Sequence, residues 1–141
     1  HIVDAANTSR NEFNVQLASA VQAFQPDIVV LAGFMRLLTM DFLAHFPQRV
    51  INVHPALPGE LPGTHAIARA FDEFVAGKRT HTGVMVHFVP DEGVDNGPVI
   101  ESAVVPIHPS DSLADLEQRM HATEHQLLIN ALTQLTKEHT P

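Results

Sequence analysis

Val50-Ile51-Asn52-Val53-His54-Pro55-Ala56-Leu57-Pro58 decides how the rest of the chain is read. An apolar run carries Asn52 and His54 to its end, and two prolines then close it. Residues two apart project from the same face of a strand, so Asn52 and His54 are expected to point the same way. Asn52 offers an uncharged amide donor, and His54 an imidazole that takes or gives a proton near neutral pH. Pro55 has no N–H for a sheet ladder, which ends the strand and leaves both side chains at its carboxyl end. In open α/β sheets that end is where ligands bind. A polar pair at a strand tip can equally serve to hydrogen-bond a neighbouring loop, and the spacing alone does not separate the two uses.

Upstream, Asp27-Ile28-Val29-Val30-Leu31-Ala32-Gly33 is a continuous apolar run rich in β-branched residues, the pattern of a strand covered on both faces as in a parallel sheet. A short helix around Thr39 to His45, capped by Thr39 with Phe42 and Leu43 inward, links it to the strand at Arg49 to His54. Before this βαβ unit, Ser9 and Glu12 stand at capping-box spacing, with Asn7 and Thr8 as further cap candidates. Phe13, Leu17, Ala20, Val21 and Phe24 then recur at helical intervals, predicting an amphipathic helix over 10–25 that Pro26 ends. His1-Ile2-Val3-Asp4 reads as the stub of a strand.

Downstream, Pro58-Gly59-Glu60-Leu61-Pro62-Gly63 is a loop. Helical periodicity resumes at His65 with Ile67, Ala70, Phe71, Phe74 and Val75 on one side, and Gly77 supplies the stop. Thr82 to Val89 and Val99 to Ile107 read as an antiparallel strand pair joined by the acidic, glycine-broken loop Asp91-Glu92-Gly93-Val94-Asp95-Asn96-Gly97-Pro98. Ser110 or Ser112 caps a long last helix to about Lys137, with Leu113, Leu116, Met120, Leu127, Leu128 and Leu135 inward. The 141 residues show no repeat, low-complexity tract or linker, so a single domain over 1–141 is expected.

Composition narrows the function classes. A 45% hydrophobic, 17% charged chain is ordinary for a soluble globular protein. The absence of cysteine excludes disulfides and thiolate metal sites. No apolar run approaches the roughly 18–20 residues that cross a bilayer, and no cleavable signal opens the chain, so a cytoplasmic location and no membrane partner are expected. A net charge of −8 with eight scattered Lys and Arg residues argues against nucleic acid, whose phosphates call for clustered cations. The ten histidines lack ligand spacing, so no metal is expected.

Asp95, flanked by Gly93 and Gly97, is a candidate partner for His54, because a carboxylate near an imidazole orients it and stabilises its protonated form. By itself an aspartate between glycines is more often a turn former. The combination is more specific. Leu31-Ala32-Gly33-Phe34-Met35-Arg36-Leu37-Leu38, Ile51-Asn52-Val53-His54-Pro55, Val86-His87-Phe88-Val89 and Gly93-Val94-Asp95-Asn96-Gly97-Pro98-Val99-Ile100 together resemble the glycinamide ribonucleotide (phosphoribosylglycinamide) formyltransferases. The likeness runs over nearly the whole chain. Methionyl-tRNA formyltransferases and formyltetrahydrofolate hydrolases share the Asn-x-His and the aspartate loop, whereas Ala32-Gly33-Phe34-Met35-Arg36 looks like the purine enzymes.

The resemblance implies a three-layer, Rossmann-like α/β fold, with a mostly parallel sheet, a C-terminal antiparallel strand pair and a long C-terminal helix. It implies transfer of a formyl group from the co-substrate 10-formyltetrahydrofolate to the amine of glycinamide ribonucleotide, without a metal, and small molecules as the partners. Matched residue by residue, Asn52, His54 and Asp95 are the catalytic trio, with Asp95 holding His54 charged. Met35, Arg36, Leu37, Leu38, Leu43, Val50, Val89 and Asp91 are the folate residues. Pro55, His121 and Glu124 lie on the substrate side, Glu124 against the ribose hydroxyls. His87 reads as a satisfied structural histidine.

The likeness is incomplete at the amino end. The family's first strand, its Gly- and Ser-rich phosphate loop and the following helix have no counterpart here, so the isolated chain is expected to have little activity. A second copy of the chain or a separate N-terminal fragment is expected to complete the sheet beside Ile28 to Leu31. Two alternatives stay open: a formyltetrahydrofolate hydrolase, in which water replaces the amine, and a non-catalytic fragment that binds folate or nucleotide only with its N-terminal half.

Overall fold

In the computed structural model, which describes residues 2–3 and 8–138, the strand runs line up as one four-stranded sheet in the order β1-β2-β3-β4. These are β1 (Val29–Leu31), β2 (Val50–His54), β3 (His81–Phe88) and β4 (Val99–Pro106). β1 pairs parallel with β2, Val29 opposite Val50 and Leu31 opposite Asn52. β2 pairs antiparallel with β3, and β3 with β4. The described sheet is therefore mixed, not mostly parallel. Only the β1–β2 connection returns the chain in the same direction; the helix between β2 and β3 delivers an antiparallel neighbour.

The helices are α1 (Arg10–Gln22), α2 (Met40–Leu43), α3 (Ala66–Val75) and α4 (Leu113–Glu138). Ser9 and Glu12 form the expected capping box: Ser9 Oγ accepts from the Glu12 N–H, and the Glu12 carboxylate accepts from the Ser9 N–H at 2.9 Å. α1 is shorter than the periodicity predicts. Gln25 adopts φ +49 ahead of Pro26, which leaves Phe24 outside the helix and 72% exposed. Likewise α2 is a single turn. Thr39 is its N-cap, but its hydroxyl donates to Asp41, and its own N–H is taken by the buried Asn14 side chain at 2.9 Å. α3 ends on a Schellman motif: Gly77 at φ +72 donates to the Phe74 carbonyl, and Lys78 donates to Glu73. Val75, expected inward, is exposed. Ser112 caps α4 through a reciprocal bond with Asp115. His1, Asp4 and Asn7 lie outside the described residues, and Ile2 and Val3 belong to no strand.

The period-two alternation separates two apolar layers. Val29, Leu31, Val50 and Val89 face Ala18, Leu38, Phe42, Leu43 and Phe46 on one side. Val30, Ile51, Val53, Val84 and Val86 face Leu116, Met120, Leu127, Ala131 and Leu135 of α4 on the other. Fully buried side chains such as Leu116 and Met120 each contribute about 2 kcal/mol. This gives the three layers expected. β1 is only half-buried, and among the described residues no strand pairs with its second edge. Asn52 and His54 occupy the α1–α2 face of β2, but lie beyond the apolar cluster, at the carboxyl end.

Candidate active site

Antiparallel register sets the first part of the site. Asn52 stands directly opposite His87 of β3, so both share a face with His54. Both histidines are buried. The turn from β3 to β4 then brings in Asp95. Phe88 N–H donates to the Pro98 carbonyl at 2.9 Å, closing the loop. Gly97 lies so close to Phe88 that a Cβ would fall 1.8 Å from its carbonyl oxygen. Any side chain there would push the loop off the strand. Asp95 itself adopts φ +51, a left-handed conformation that aspartate tolerates better than most residues.

The Asp95 carboxylate is the hub. Its Oδ1 accepts from Asn52 Nδ2 at 3.2 Å and lies 3.6 Å from His87 Nε2. Its Oδ2 accepts from the Gly63 N–H at 2.8 Å and lies 3.3 Å from His54 Nδ1. Burial pushes this carboxyl up, yet the neighbouring His87 and His54 imidazoles and the Gly63 hydrogen bond outweigh it and hold it below the usual carboxylate range.

Proton positions follow from what each partner can accept. A carbonyl only accepts, so the 3.1 Å contact with Leu61 assigns a proton to His54 Nε2, leaving Nδ1, toward Asp95, as the nitrogen whose protonation changes. The 2.8 Å contact with the Phe88 carbonyl likewise assigns the His87 proton to Nδ1, so its Nε2 accepts from Asn52 at 3.3 Å. Both protons of the Asn52 amide are thus engaged. The positive charge expected on His54 is opposed by its burial. Burial lowers its pKa most strongly, and the Asp95 charge and the Leu61 and Glu60 carbonyls only partly offset that, with His87 adding to the lowering.

The trio opens on a cleft of about 860 Å³ running across the carboxyl ends of β1 and β2. That volume suits a ligand of drug or cofactor size. Met35, Arg36, Leu37, Leu38, Val89 and Asp91 of the expected folate set line it. Leu43 and Val50 do not; both are buried in the apolar layer beneath. Met35 and Leu37 are exposed apolar side chains at its rim, and Arg36 lies over the Phe13 ring at 5.0 Å. On the other side stand Pro55, His121 and Glu124. Burial raises the Glu124 carboxyl, opposed by His121 and His125. Glu117, His121, Glu124, His125 and Leu128 recur at helical spacing, so one face of α4 forms that wall. Sequence reasoning took His87 as structural and left out Glu117 and His125. The shared parity of Asn52 and His87 across paired strands was the available signal for the first, and the i, i+4 spacing from His121 for the others. Among the described residues, no group of three or more His, Cys, Asp or Glu is placed to hold a metal ion, and no helix is long and apolar enough to cross a membrane.

A family model described as formyl transferase matches residues 2–132. The chain is 41% identical to a phosphoribosylglycinamide formyltransferase of Dictyostelium discoideum, over 94% of this chain and 67% of that protein. It is 43% identical to one of Schizosaccharomyces pombe, over 89% and 62%. It superposes with a TM-score of 0.85 on the crystal structure of phosphoribosylglycinamide formyltransferase from Streptococcus pneumoniae, at 31% identity, covering 93% of this chain and 70% of that one. The chain therefore spans about three fifths to two thirds of the length of these two curated relatives.

Proposed function

Because the chain belongs to the formyl transferase family, we propose that it carries the reaction centre of a phosphoribosylglycinamide formyltransferase, which moves a formyl group from 10-formyltetrahydrofolate to the amine of glycinamide ribonucleotide in purine biosynthesis. The observation that carries this reading is the meeting of Asn52, His54 and Asp95 at the mouth of one large cleft. The names of the relatives favour it over the hydrolase.

Attack of an amine on a formyl carbon builds negative charge on the formyl oxygen. Preorganised donors facing that oxygen supply the largest share of catalysis in such reactions. The Asn52 amide is one donor. Its hydrogen bond to the His87 ring, at 3.3 Å, is weaker than the charge-assisted one to Asp95, so the substrate oxygen takes over the proton now given to His87. His54, whose Nε2 proton is given to the Leu61 carbonyl and whose Nδ1 faces Asp95, serves proton transfer instead. The proton released by the attacking amine enters the His54–Asp95 pair and passes to the leaving folate nitrogen, directly or through water. An imidazole suits this role because it both accepts and gives up a proton, and the lowered pKa favours handing it on.

The two ends of the cleft divide the substrates. Met35, Leu37, Leu38 and Val89, with Asp91 and the backbone of its loop, offer an apolar slot with polar edges for the pterin. Pro55, His121 and Glu124 offer a polar wall for the ribonucleotide. The test supplies 10-formyltetrahydrofolate, with and without glycinamide ribonucleotide, to the chain alone and to the chain joined to the segment of the D. discoideum relative that it does not match. Folate turnover that requires the nucleotide is expected in the joined protein. Turnover independent of the nucleotide rejects transfer, and an inert joined protein rejects the enzyme reading.

A further inference from the structure

Taking His54 as the proton-handling group of the proposed reaction, we propose that Arg79 is a positioning residue for it, acting through the 55–65 loop. This loop joins β2 to α3 and supplies two backbone groups to the site, the Leu61 carbonyl on His54 and the Gly63 N–H on Asp95. Its conformation is costly. Gly59, Leu61, Gly63 and His65 all have positive φ, and for the two that are not glycine this costs on the order of 1 kcal/mol each. Contacts outside the site must therefore hold the loop in place.

Several contacts among the described residues do so. The Leu61 side chain is buried with Ala56, Ala66 and Ala70. Arg69 Nη1 donates to the Pro62 carbonyl at 2.8 Å. Arg79, from the turn after α3, donates to Glu60 Oε2 at 3.0 Å, the residue next to Leu61. Arg79 also grips Glu73 of α3 through Nε and Nη2, both at 2.7 Å. Its side chain is 15% exposed while the Glu60 and Glu73 side chains are each 39% exposed, so Arg79 is the shielded member of a cluster whose carboxylates reach solvent. The planar fork suits a residue that has to hold two carboxylates at fixed angles. Arg79 thus ties the loop to the rigid helix behind it, one residue from the carbonyl that seats the His54 ring.

The groups facing His54 are Asp95, His87 and the carbonyls of Leu61 and Glu60. Release of the loop hydrates the ring while Asp95, held also by Asn52, stays near. Since burial is the largest influence on His54, its titration midpoint moves up.

NMR titration of the His54 ring in the full chain, assigned with His54→Gln, tests this. Arg79→Ala is expected to raise the midpoint by about one pH unit. Glu60→Ala should produce the same rise, the double variant no more than either single, and Arg79→Lys only part of it. An unchanged or lowered midpoint in Glu60→Ala overturns the proposal even where Arg79→Ala does not fold. A rise in Arg79→Ala that Glu60→Ala does not share also overturns it, because Arg79 would then serve α3 alone. The titration uses no substrate, so its outcome is separate from that of the formyl-transfer assay.

Discussion

The His54 imidazole and the Asp95 carboxylate meet at 3.3 Å, although one stands on β2 and the other in the loop beyond β3. Nearly everything proposed for this chain passes through that contact. It is side-on to the strand register, and it depends on a loop folded tightly enough to reach back over the sheet.

Removal of either partner is expected to abolish most turnover. In the complete enzyme, Asn52→Ala, His54→Ala and Asp95→Ala should each lower kcat by at least about a hundredfold, the usual effect of losing an oxyanion donor or an acid–base group. Steady-state kinetics on folded variants checks this. Near-normal turnover in His54→Ala would remove the scheme's centre.

His87 now has a role the sequence did not suggest, as acceptor for Asn52 and neighbour of Asp95. His87→Ala leaves a cavity and takes from the Phe88 carbonyl its part-buried contact with the imidazole. Urea denaturation should register a loss of about 2–4 kcal/mol. The catalytic loss should stay smaller than in His54→Ala, since His87 is displaced from Asn52 when substrate binds. Equal catalytic losses would make His87 a full member of the reaction centre.

The stability of the chain should depend on pH with opposing signs from two groups. His54 is held below 6.5, so the unfolded chain binds its proton more readily. Its contribution is full above pH 6.5 and is lost as pH falls through the lower folded value. Glu124 is held above 4.5, so its contribution is present below pH 4.5 and is lost as pH rises through the folded value. Denaturation at several pH values should therefore show His54→Gln gaining on the parent chain as the solution is acidified below pH 6.5, and Glu124→Gln gaining on it as pH rises above 4.5. Flat differences for both would contradict the burial argument.

Two glycines should respond differently to alanine. Gly33 has φ +63 but open space around it, so Gly33→Ala meets only backbone strain, about 1 kcal/mol. Gly97 has no such angle but no room, and Gly97→Ala should cost more than about 3 kcal/mol and displace Asp95. Thermal melts of both variants decide the point. A mild Gly97→Ala would mean that the loop has slack.

The sequence was most readable where structure is local. Period-two alternation in Val50–His54 placed Asn52 and His54 on one face, and the Ser9–Glu12 and Ser112 caps started their helices where expected. It was less readable at ends. Phe24 and Val75 fit a helical period, but Phe24 lies past the helix terminus, where Gln25 turns the chain in a left-handed conformation, and Val75 is the last residue of α3 and faces solvent. Leu43 and Val50 were matched to the ligand by likeness, yet lie in the layer under the cleft, a matter of depth that spacing does not encode.

By itself, then, the sequence determined the order of elements, the shared face of the amide and the imidazole, and the strand end at Pro55. Those follow from side-chain direction, proline chemistry and hydrophobic period, which act over a few residues. Only the tertiary structure decided that His87 joins the cluster, that the Leu61 carbonyl and Gly63 N–H seat the ring and its acid, and that burial outweighs Asp95 in setting the His54 proton. Each of these depends on register between strands and on how closely two loops approach, quantities that long-range packing fixes and no short stretch contains.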